Sequence, residues 1–226
     1  MKTLSMSTSS NICTAAVLED TRLLKELIIE AGTTHSVNLM PMIQNLLEDL
    51  NLKLNNMDLI VCDKGPGSFT GIRIGVATAK AFSDSLNINS VGISSLEALA
   101  YNVKEPSVIC PMIDARNNNI YVGVFEKKEG QYILRRDFSS ENIFEFLEEL
   151  QDVNYNATFV GDASIKYKEE ILNVLPNSKF ASINNVTAYN LGLAGLENYL
   201  NNKKNDLLPL YLKKSQAEIK LVRNDG

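Results

Sequence analysis

The chain has 226 residues, of which 45% are hydrophobic and 22% are charged, and its formal net charge is −5. This composition is typical of a folded globular protein with one large domain or two modest ones, and it excludes disordered and fibrous classes. A pI near 5.1 argues against an extended basic surface that would hold nucleic acid by counterion release. If RNA is involved, we expect another protein to bind most of it.

The sequence carries no sign of a membrane span, a secretion signal or a disulfide framework. Its apolar runs are much shorter than the ~20 residues that a membrane span needs, and Met1 leads directly into a strand-like pattern without a signal sequence. Cys13, Cys62 and Cys110 each lie inside an apolar strand-like run, which favours buried reduced thiols over disulfides or a zinc site. We therefore expect a cytoplasmic protein with no membrane partner.

Hydrophobic periodicity divides the first half of the chain into alternating elements. We predict strands at residues 2–8, 12–19 and 23–30, a helix at 36–50, a strand at 58–62 and a helix at 70–86. A short strand at 90–93 and a helix that ends near residue 101 follow. The first six elements have the order β-β-β-α-β-α.

The second half repeats this order. We predict strands at 108–115, 120–127 and 131–137, a helix at 141–150, a strand at 158–161, a helix at 164–175 and a long helix at 187–200. The repeat predicts an α/β fold of two tandem actin-like (ribonuclease H-like) β-β-β-α-β-α lobes with mixed sheets, by analogy of element order alone. Pro106 is unfavourable inside either flanking element, so we place the lobes at 1–104 and 105–226.

A glycine-rich turn precedes the second helix. Such turns can cradle phosphate at a helix start, but this one lacks the Gly-Lys-Ser/Thr ending of a P-loop and the spaced glycines of a dinucleotide site. The favoured interpretation is a tight turn at Gly65, Pro66 and Gly67 followed by a Ser68 or Thr70 helix cap. Direct phosphate binding is the weaker alternative.

The helix after this turn carries small residues at regular spacing. Gly71, Gly75 and Ala79 are four residues apart and share one helical face, which lets another backbone or helix approach closely. Arg73 and Lys80 share a different stripe of the same helix. We predict that the small-residue ridge is a docking surface.

Several catalytic classes lack their residues. Actin-like ATPases place metal and water with an acidic residue at the end of the first strand, where this chain has Ser7, and a hydroxyl does not replace a carboxylate in holding a divalent ion. His35 is the single histidine, so a zinc peptidase with paired histidines is excluded, and no nucleophile elbow indicates a serine hydrolase. Asp114 and Arg116 close a strand ahead of a polar turn, and we interpret Asp114 as structural, either accepting turn amides or pairing with Arg116.

Five motifs, together with their order along nearly the whole chain, resemble the bacterial TsaB family of tRNA threonylcarbamoyladenosine biosynthesis proteins. They are GPGSFTGIRIG at 65–75, ATAK at 77–80, VGISSLEALA at 91–100, DAR at 114–116 ahead of Ile120 and Tyr121, and PLYL at 209–212 ahead of KSQAE at 214–218. Members of that family usually read Asp-Thr-Ser after the first strand, so Ser7 is a departure that leaves any nucleotide or metal role at this position without support.

The resemblance implies a non-catalytic scaffold or dimerisation subunit with an actin-like fold. Its partners would be the catalytic transferase TsaD and the ATPase TsaE, with tRNA bound only through the complex, no cofactor in the isolated subunit, and a homodimer when the partner is absent. The resemblance also places the interface on the first two helices. The partner-binding residues expected there are Leu39, Met42, Ile43, Leu46, Gly71, Ile72, Arg73, Gly75, Val76, Ala79 and Lys80.

Two functions from different classes follow. The first is the scaffold, for which we expect Gly75→Arg to abolish association with the transferase while the lobe stays folded. The alternative is an autonomous ATP-dependent phosphotransferase, suggested by the repeated topology and the glycine-rich turn.

Overall fold

Two five-stranded mixed sheets carry the two halves of the chain. The computed structural model describes residues 1–30, 35–152, 157–203 and 206–212. The first half contains β1 (Lys2–Ser7), β2 (Ile12–Glu19), β3 (Arg22–Glu30), α1 (His35–Asp49), β4 (Leu59–Asp63), α2 (Phe69–Leu86), β5 (Asn89–Ile93) and α3 (Ser95–Ala100). The second half contains β6 (Ser107–Asp114), β7 (Asn119–Lys128), β8 (Gln131–Asn142), α4 (Ile143–Asp152), β9 (Ala157–Val160), α5 (Asp162–Lys166), α6 (Lys168–Val174), β10 (Lys179–Phe180) and α7 (Ala188–Leu200).

Both sheets have the same topology. The first sheet has the order β3-β2-β1-β4-β5, and the second, read from the other edge, has the order β8-β7-β6-β9-β10. In each, the first three strands form an antiparallel meander, and the next strand joins the first in parallel. The predicted β-β-β-α-β-α repeat is confirmed.

Three second-half predictions differ from the structure. The predicted helix at 164–175 is divided at Tyr167 into α5 and α6, because Tyr167 leaves helical geometry with φ −107° and ψ 26° while its ring is buried. Strand β8 continues to Asn142, well past residue 137, since it stays paired with β7 along its length. The two-residue edge strand β10 was not predicted.

The helices that cover the sheets are exchanged between the two halves of the chain. Helices α1 and α2 pack on one face of the first sheet, and α7, from the second half, packs on β1, β2 and β4 across the opposite face. The Ser5 hydroxyl donates to the Ala188 carbonyl at 2.6 Å, which ties β1 to the start of α7. Helix α3 from the first half packs on β6 and β7. A division at 104/105 stays a prediction, and the packing crosses it in both directions.

The cysteines are separate and lie in the core. Cys13, Cys62 and Cys110 are buried and unpaired, and burial raises the pKa of Cys13 to about 11 and that of Cys110 to about 12. Their expected role as small core residues is confirmed. Within residues 1–30, 35–152, 157–203 and 206–212, no group of three His, Cys, Asp or Glu could hold a metal ion. No helix in this part of the chain is long and apolar enough to cross a membrane.

Candidate functional site

The glycine-rich turn is closed by its own chain. Gly65 adopts φ +99°, a conformation that favours glycine, and its amide donates to Asp63 Oδ1 at 2.9 Å. The Ser68 amide donates to the Ser9 carbonyl at 2.7 Å, and the Ser68 hydroxyl accepts the Gly71 amide at 3.2 Å as the N-cap of α2. These three amides have partners inside the protein, so they do not form a free phosphate cradle.

The remaining residues of this turn are placed beside the same loops. A Cβ at Gly67 would lie 2.2 Å from the Ser9 carbonyl oxygen, so the turn touches the β1–β2 loop. Pro66 is buried between the lobes, and Thr70, the other cap candidate, is exposed inside the first turn of α2. Of the two predicted caps, Ser68 is therefore the one used.

The small-residue ridge of α2 faces inward. A Cβ at Gly71 would lie 1.8 Å from the Thr8 carbonyl oxygen, and one at Gly75 would lie 2.7 Å from Thr8 Oγ1. Thr8 Oγ1 also donates to the Gly71 carbonyl at 2.7 Å, and Ala79 is fully buried. The close approach that these residues permit is made with the chain's own β1–β2 loop, so the prediction that this ridge is offered to a partner is wrong.

The apolar residues predicted at the interface are also part of the core. The stripes of α1 and α2 that carry these residues pack on the first sheet instead of facing solvent. The residues concerned are Leu39, Met42, Ile43, Leu46, Ile72 and Val76. The two predicted cations, Arg73 and Lys80, are exposed.

The expected outcome for Gly75→Arg is corrected as well. A Cβ at Gly75 would lie 2.7 Å from Thr8 Oγ1 and 3.3 Å from Cys62 Sγ, so the space beside this glycine is already filled. An arginine there would have to displace the core, so we expect it to unfold the lobe and to report nothing about a partner.

Another face of the same two helices is open. Met40 is 50% exposed, and the exposed stripe of α2 carries small residues four apart, at Ala77 and Ala81. Between the helices lies an open, largely apolar groove of about 370 Å³. Its lining residues are Met40, Pro41, Ile43, Gln44, Leu47, Leu54 and Phe82. We call this groove, together with Ala77 and Ala81, the docking face.

Sequence reasoning identified the correct helices and the wrong stripe. Two stripes of α2 contain small residues at four-residue spacing, one at 71, 75 and 79 and the other at 77 and 81. Spacing alone does not decide which of them packs on the chain's own sheet. The signals that could have found the docking face are the exposed pair Met40 and Pro41 on α1 and the apolar Phe82 outside the buried stripe.

A buried carboxyl group lies behind the glycine-rich turn. Asp63 ends β4 with 1% of its surface exposed. Its Oδ2 accepts the hydroxyls of Ser7 at 2.7 Å and Ser9 at 2.5 Å, and its Oδ1 accepts the hydroxyl of Ser95 at 2.6 Å and the amide of Gly65. The Ser7 hydroxyl, which stands where an actin-like ATPase has its acid, is thus bonded to Asp63 and closed to solvent.

Burial raises the pKa of Asp63, and the donors from Ser9, Ser95, Gly65 and Ser7 oppose this shift without cancelling it. A raised folded-state pKa means that the folded protein binds the proton more tightly than the unfolded chain does. The stability that Asp63 contributes is therefore full below its unfolded pKa, about 3.9, and is lost as the pH rises through the folded pKa.

We expect this loss to appear in a comparison with Asp63→Asn, which does not titrate. Urea unfolding of both proteins from about pH 4 to pH 7 gives the free energy of unfolding of each. The wild-type value minus the variant value should fall as the pH rises. A difference that grows with pH would mean that the four donors outweigh burial.

The cleft between the lobes is small. It has a volume of about 50 Å³ and is lined by Ser9, Pro66, Asp162, Asn184 and their neighbours. Ligand pockets are typically about 300–1,000 Å³, so this cavity, as the described residues form it, is smaller than a typical nucleotide site.

The predicted structural role of Asp114 is confirmed. Its Oδ1 accepts the Arg116 amide at 3.0 Å, which closes the turn. Its Oδ2 pairs with Lys166 at 2.8 Å and not with the Arg116 side chain. The pairing ties the end of β6 to α5.

Comparison with known proteins decides the family. The family model described as TsaD, tRNA N6-adenosine threonylcarbamoyltransferase, matches residues 29–221. A tRNA threonylcarbamoyladenosine biosynthesis protein TsaB from Bacillus subtilis is 32% identical over 230 residues, which cover 99% of each chain. The chain belongs to the TsaB family. The TsaB protein of Haemophilus influenzae is 30% identical, covering 93% of this chain and 92% of its own, and the TsaD match places this TsaB-family chain in the wider family of that transferase.

The solved structures agree on the fold. An uncharacterised Pseudomonas aeruginosa protein described as similar to the peptidase YeaZ superposes with a TM-score of 0.80 at 24% identity, covering 94% of this chain and 99% of the other. At this identity the likeness establishes the fold alone. The TsaB-family chain therefore has the two-lobed, actin-like α/β fold that the repeated element order predicted.

Proposed function

We propose that this chain is a non-catalytic scaffold subunit in the synthesis of tRNA threonylcarbamoyladenosine. In this role it binds the catalytic transferase TsaD in the cytoplasm, works together with the ATPase TsaE, and meets tRNA only through the complex. Membership of the TsaB family supports the pathway, and the match to the TsaD model supports a fold related to that of the transferase.

The open docking face is the observation that carries the proposal. Exposed apolar patches on soluble proteins mark interaction sites, and the groove between α1 and α2 is lined mostly by apolar side chains, among them Met40 and Phe82. Ala77 and Ala81 let the backbone of a partner helix approach α2 closely, as packing of ridges into grooves requires. Two helices of this chain and two of a partner would bury both apolar faces together.

The strand ends support the absence of chemistry in this subunit. The position of the ATPase acid is occupied by Ser7, whose hydroxyl is committed to Asp63 at 2.7 Å. The cavity of about 50 Å³ that the described residues form near Ser9 is smaller than a typical ligand pocket. We propose that the isolated subunit needs no cofactor.

The test is association with the transferase after a charge is placed on the docking face. Ala77→Arg and Ala81→Arg add a long charged side chain at exposed positions, so the fold should tolerate them and the interface should not. We expect at least a hundredfold loss of affinity, since burying an unpaired charge costs several kcal/mol. Size-exclusion chromatography with mass determination, followed by calorimetric titration, measures the loss.

Gln151→Arg is the matched control, because it adds the same charge at an exposed position of α4 in the second lobe. It should bind the transferase as the wild type does. If Ala77→Arg and Ala81→Arg both fold and both keep wild-type affinity, the docking face is not the interface.

We also propose that the isolated chain forms a homodimer through this face, so Ala81→Arg should shift its mass to that of the monomer.

Calorimetry of the isolated chain with Mg-ATP separates the alternative function. The scaffold predicts no binding heat and no turnover. Micromolar binding with turnover would favour an autonomous phosphotransferase and would contradict the proposal.

A further inference from the structure

An aromatic cage holds one exposed cation at the start of α2. The Arg73 guanidinium carbon lies 3.8 Å from the centre of the Phe69 ring and 5.8 Å from the centre of the Tyr211 ring. The Arg73 Nε donates to the Tyr211 hydroxyl at 2.8 Å, and the two ring centres are 5.0 Å apart. Both rings are 43% exposed, so the cage is open to solvent.

The second ring of the cage is held in place by a segment from the far end of the described chain. Residues 206–212, here called the strap, run across the ends of β4 and β5. The Leu210 amide donates to the Lys64 carbonyl at 2.7 Å, and Leu207 is buried in the same core as α1 and α2. This anchorage places Tyr211 beside α2, where its ring meets Phe69 and Arg73.

The cage leaves one end of the guanidinium free. Its Nε is used by Tyr211, while Nη1 and Nη2 have no acceptor and Arg73 has no ion pair among the residues that the structure describes. Arginine side chains normally lose rotamer freedom when they bind, and the two rings impose that order in advance. A pre-ordered pair of NH₂ groups matches two oxygens of a carboxylate in parallel.

The surroundings of the cage favour a carboxylate on a protein. Arg73 lies on the exposed stripe of α2 that continues through Ala77 to Lys80 and Ala81, and Lys80 likewise has no ion pair within the described part of the chain. This stripe is positive up to Ala81, although the chain as a whole carries −5. The two cations are seven residues apart, about 10.5 Å along the helix; Ala77 lies between them and Ala81 follows Lys80.

We propose that the Phe69–Arg73–Tyr211 cage is a receptor for an Asp or Glu side chain of the protein that occupies the docking face. The inference rests on the proposed function, because the partner is the same transferase. The docking face supplies apolar contact, and the cage supplies a bidentate ion pair at its edge that fixes the register of the partner helix.

The experiment measures the affinity of the full chain for the transferase by calorimetric titration at low and high salt. Arg73→Lys keeps the positive charge but removes the two parallel NH₂ donors, and we expect about a tenfold weaker affinity. Tyr211→Phe keeps the ring but loses the hydroxyl that accepts Nε, and we expect about a threefold loss. Both losses should shrink at high salt.

Arg135→Lys is the matched control, since Arg135 is an exposed arginine on β8 and should leave the affinity unchanged. Replacing each exposed Asp and Glu of the transferase by alanine should identify one variant in which Arg73→Lys no longer has an effect. That coupling identifies the occupant and supports the receptor.

Three results would overturn the proposal. If Arg73→Lys binds the transferase as tightly as the wild type does while Ala77→Arg binds more weakly, the docking face is the interface but the cage is not a receptor for a carboxylate. If the wild type itself does not bind the transferase, the proposed function and the receptor fail together. If Arg73→Lys weakens binding of the isolated chain to tRNA and not to the transferase, the cage binds a phosphate.

Discussion

Gly71→Ala should destabilise the protein by about 3 kcal/mol or more, because overpacking against a fixed backbone is costly. The added methyl would lie 1.8 Å from the Thr8 carbonyl oxygen, and Thr8 is held at the same place by its hydrogen bond to the Gly71 carbonyl. Neither group can move without shifting β1 against α2. For a chain of this length the loss corresponds to a fall in Tm of roughly 6–12 °C.

The sign of this effect makes the test decisive. In an exposed helix, alanine is more favourable than glycine by about 1 kcal/mol, so an outward-facing Gly71 would give a more stable variant. Ala77→Ser, which adds one atom to the exposed stripe of the same helix, should stay within about 0.5 kcal/mol of the wild type. Thermal and urea unfolding measure both, and a stabilised Gly71→Ala protein would show that the ridge is not packed on Thr8.

The second large effect is expected for Asp63→Ala, which should lower the free energy of unfolding by about 3–5 kcal/mol. The substitution removes the acceptor of four donors, and three of these are hydroxyls of the buried residues Ser7, Ser9 and Ser95. Each buried donor left without a partner costs about 1–3 kcal/mol. The Ser7 and Ser9 hydroxyls lie 3.3 Å apart and can bond to each other, which keeps the loss below the full sum.

Asp84→Ala is the control for loss of an acid, because Asp84 is exposed near the end of α2 and its removal should have little effect. Asp63→Asn should fall between the wild type and Asp63→Ala, since an amide oxygen still accepts some of the donors. Equilibrium unfolding in urea ranks the four proteins. A loss under about 1 kcal/mol for Asp63→Ala would mean that the serines are satisfied elsewhere.

The order of the strands and helices could be predicted because hydrophobic residues recur at a spacing of about two in strands and about 3.6 in helices. Leu39, Ile43 and Leu46 recur at helical spacing, and this spacing identified the helix. Hydrophobic spacing shows that a helix has an apolar face, but it does not show which surface packs against that face. The same stripe was therefore assigned to a partner, while the structure packs it on the first sheet.

The cluster of Asp63 with Ser7, Ser9 and Ser95 depends on contacts that no local sequence pattern reveals. Ser7 was recognised by its place after the first strand, but its partner Asp63 is 56 residues away, and nothing around Asp63 distinguishes it from other strand ends. The Arg73–Tyr211 contact spans 138 residues. Such pairs depend on how the sheets and the strap are brought together, which a single sequence does not encode in its spacing.

The exchange of covering helices has a consequence for how the chain is made. A ribosome releases β1 to β5 long before it releases α7, so the face of the first sheet that α7 covers stays exposed to solvent until α7 has emerged. A fragment that stops at residue 104 would leave that surface bare and prone to aggregate. Folding of the amino-terminal lobe is therefore complete only after α7 has been made, and proteolysis within α7 would uncover the first sheet.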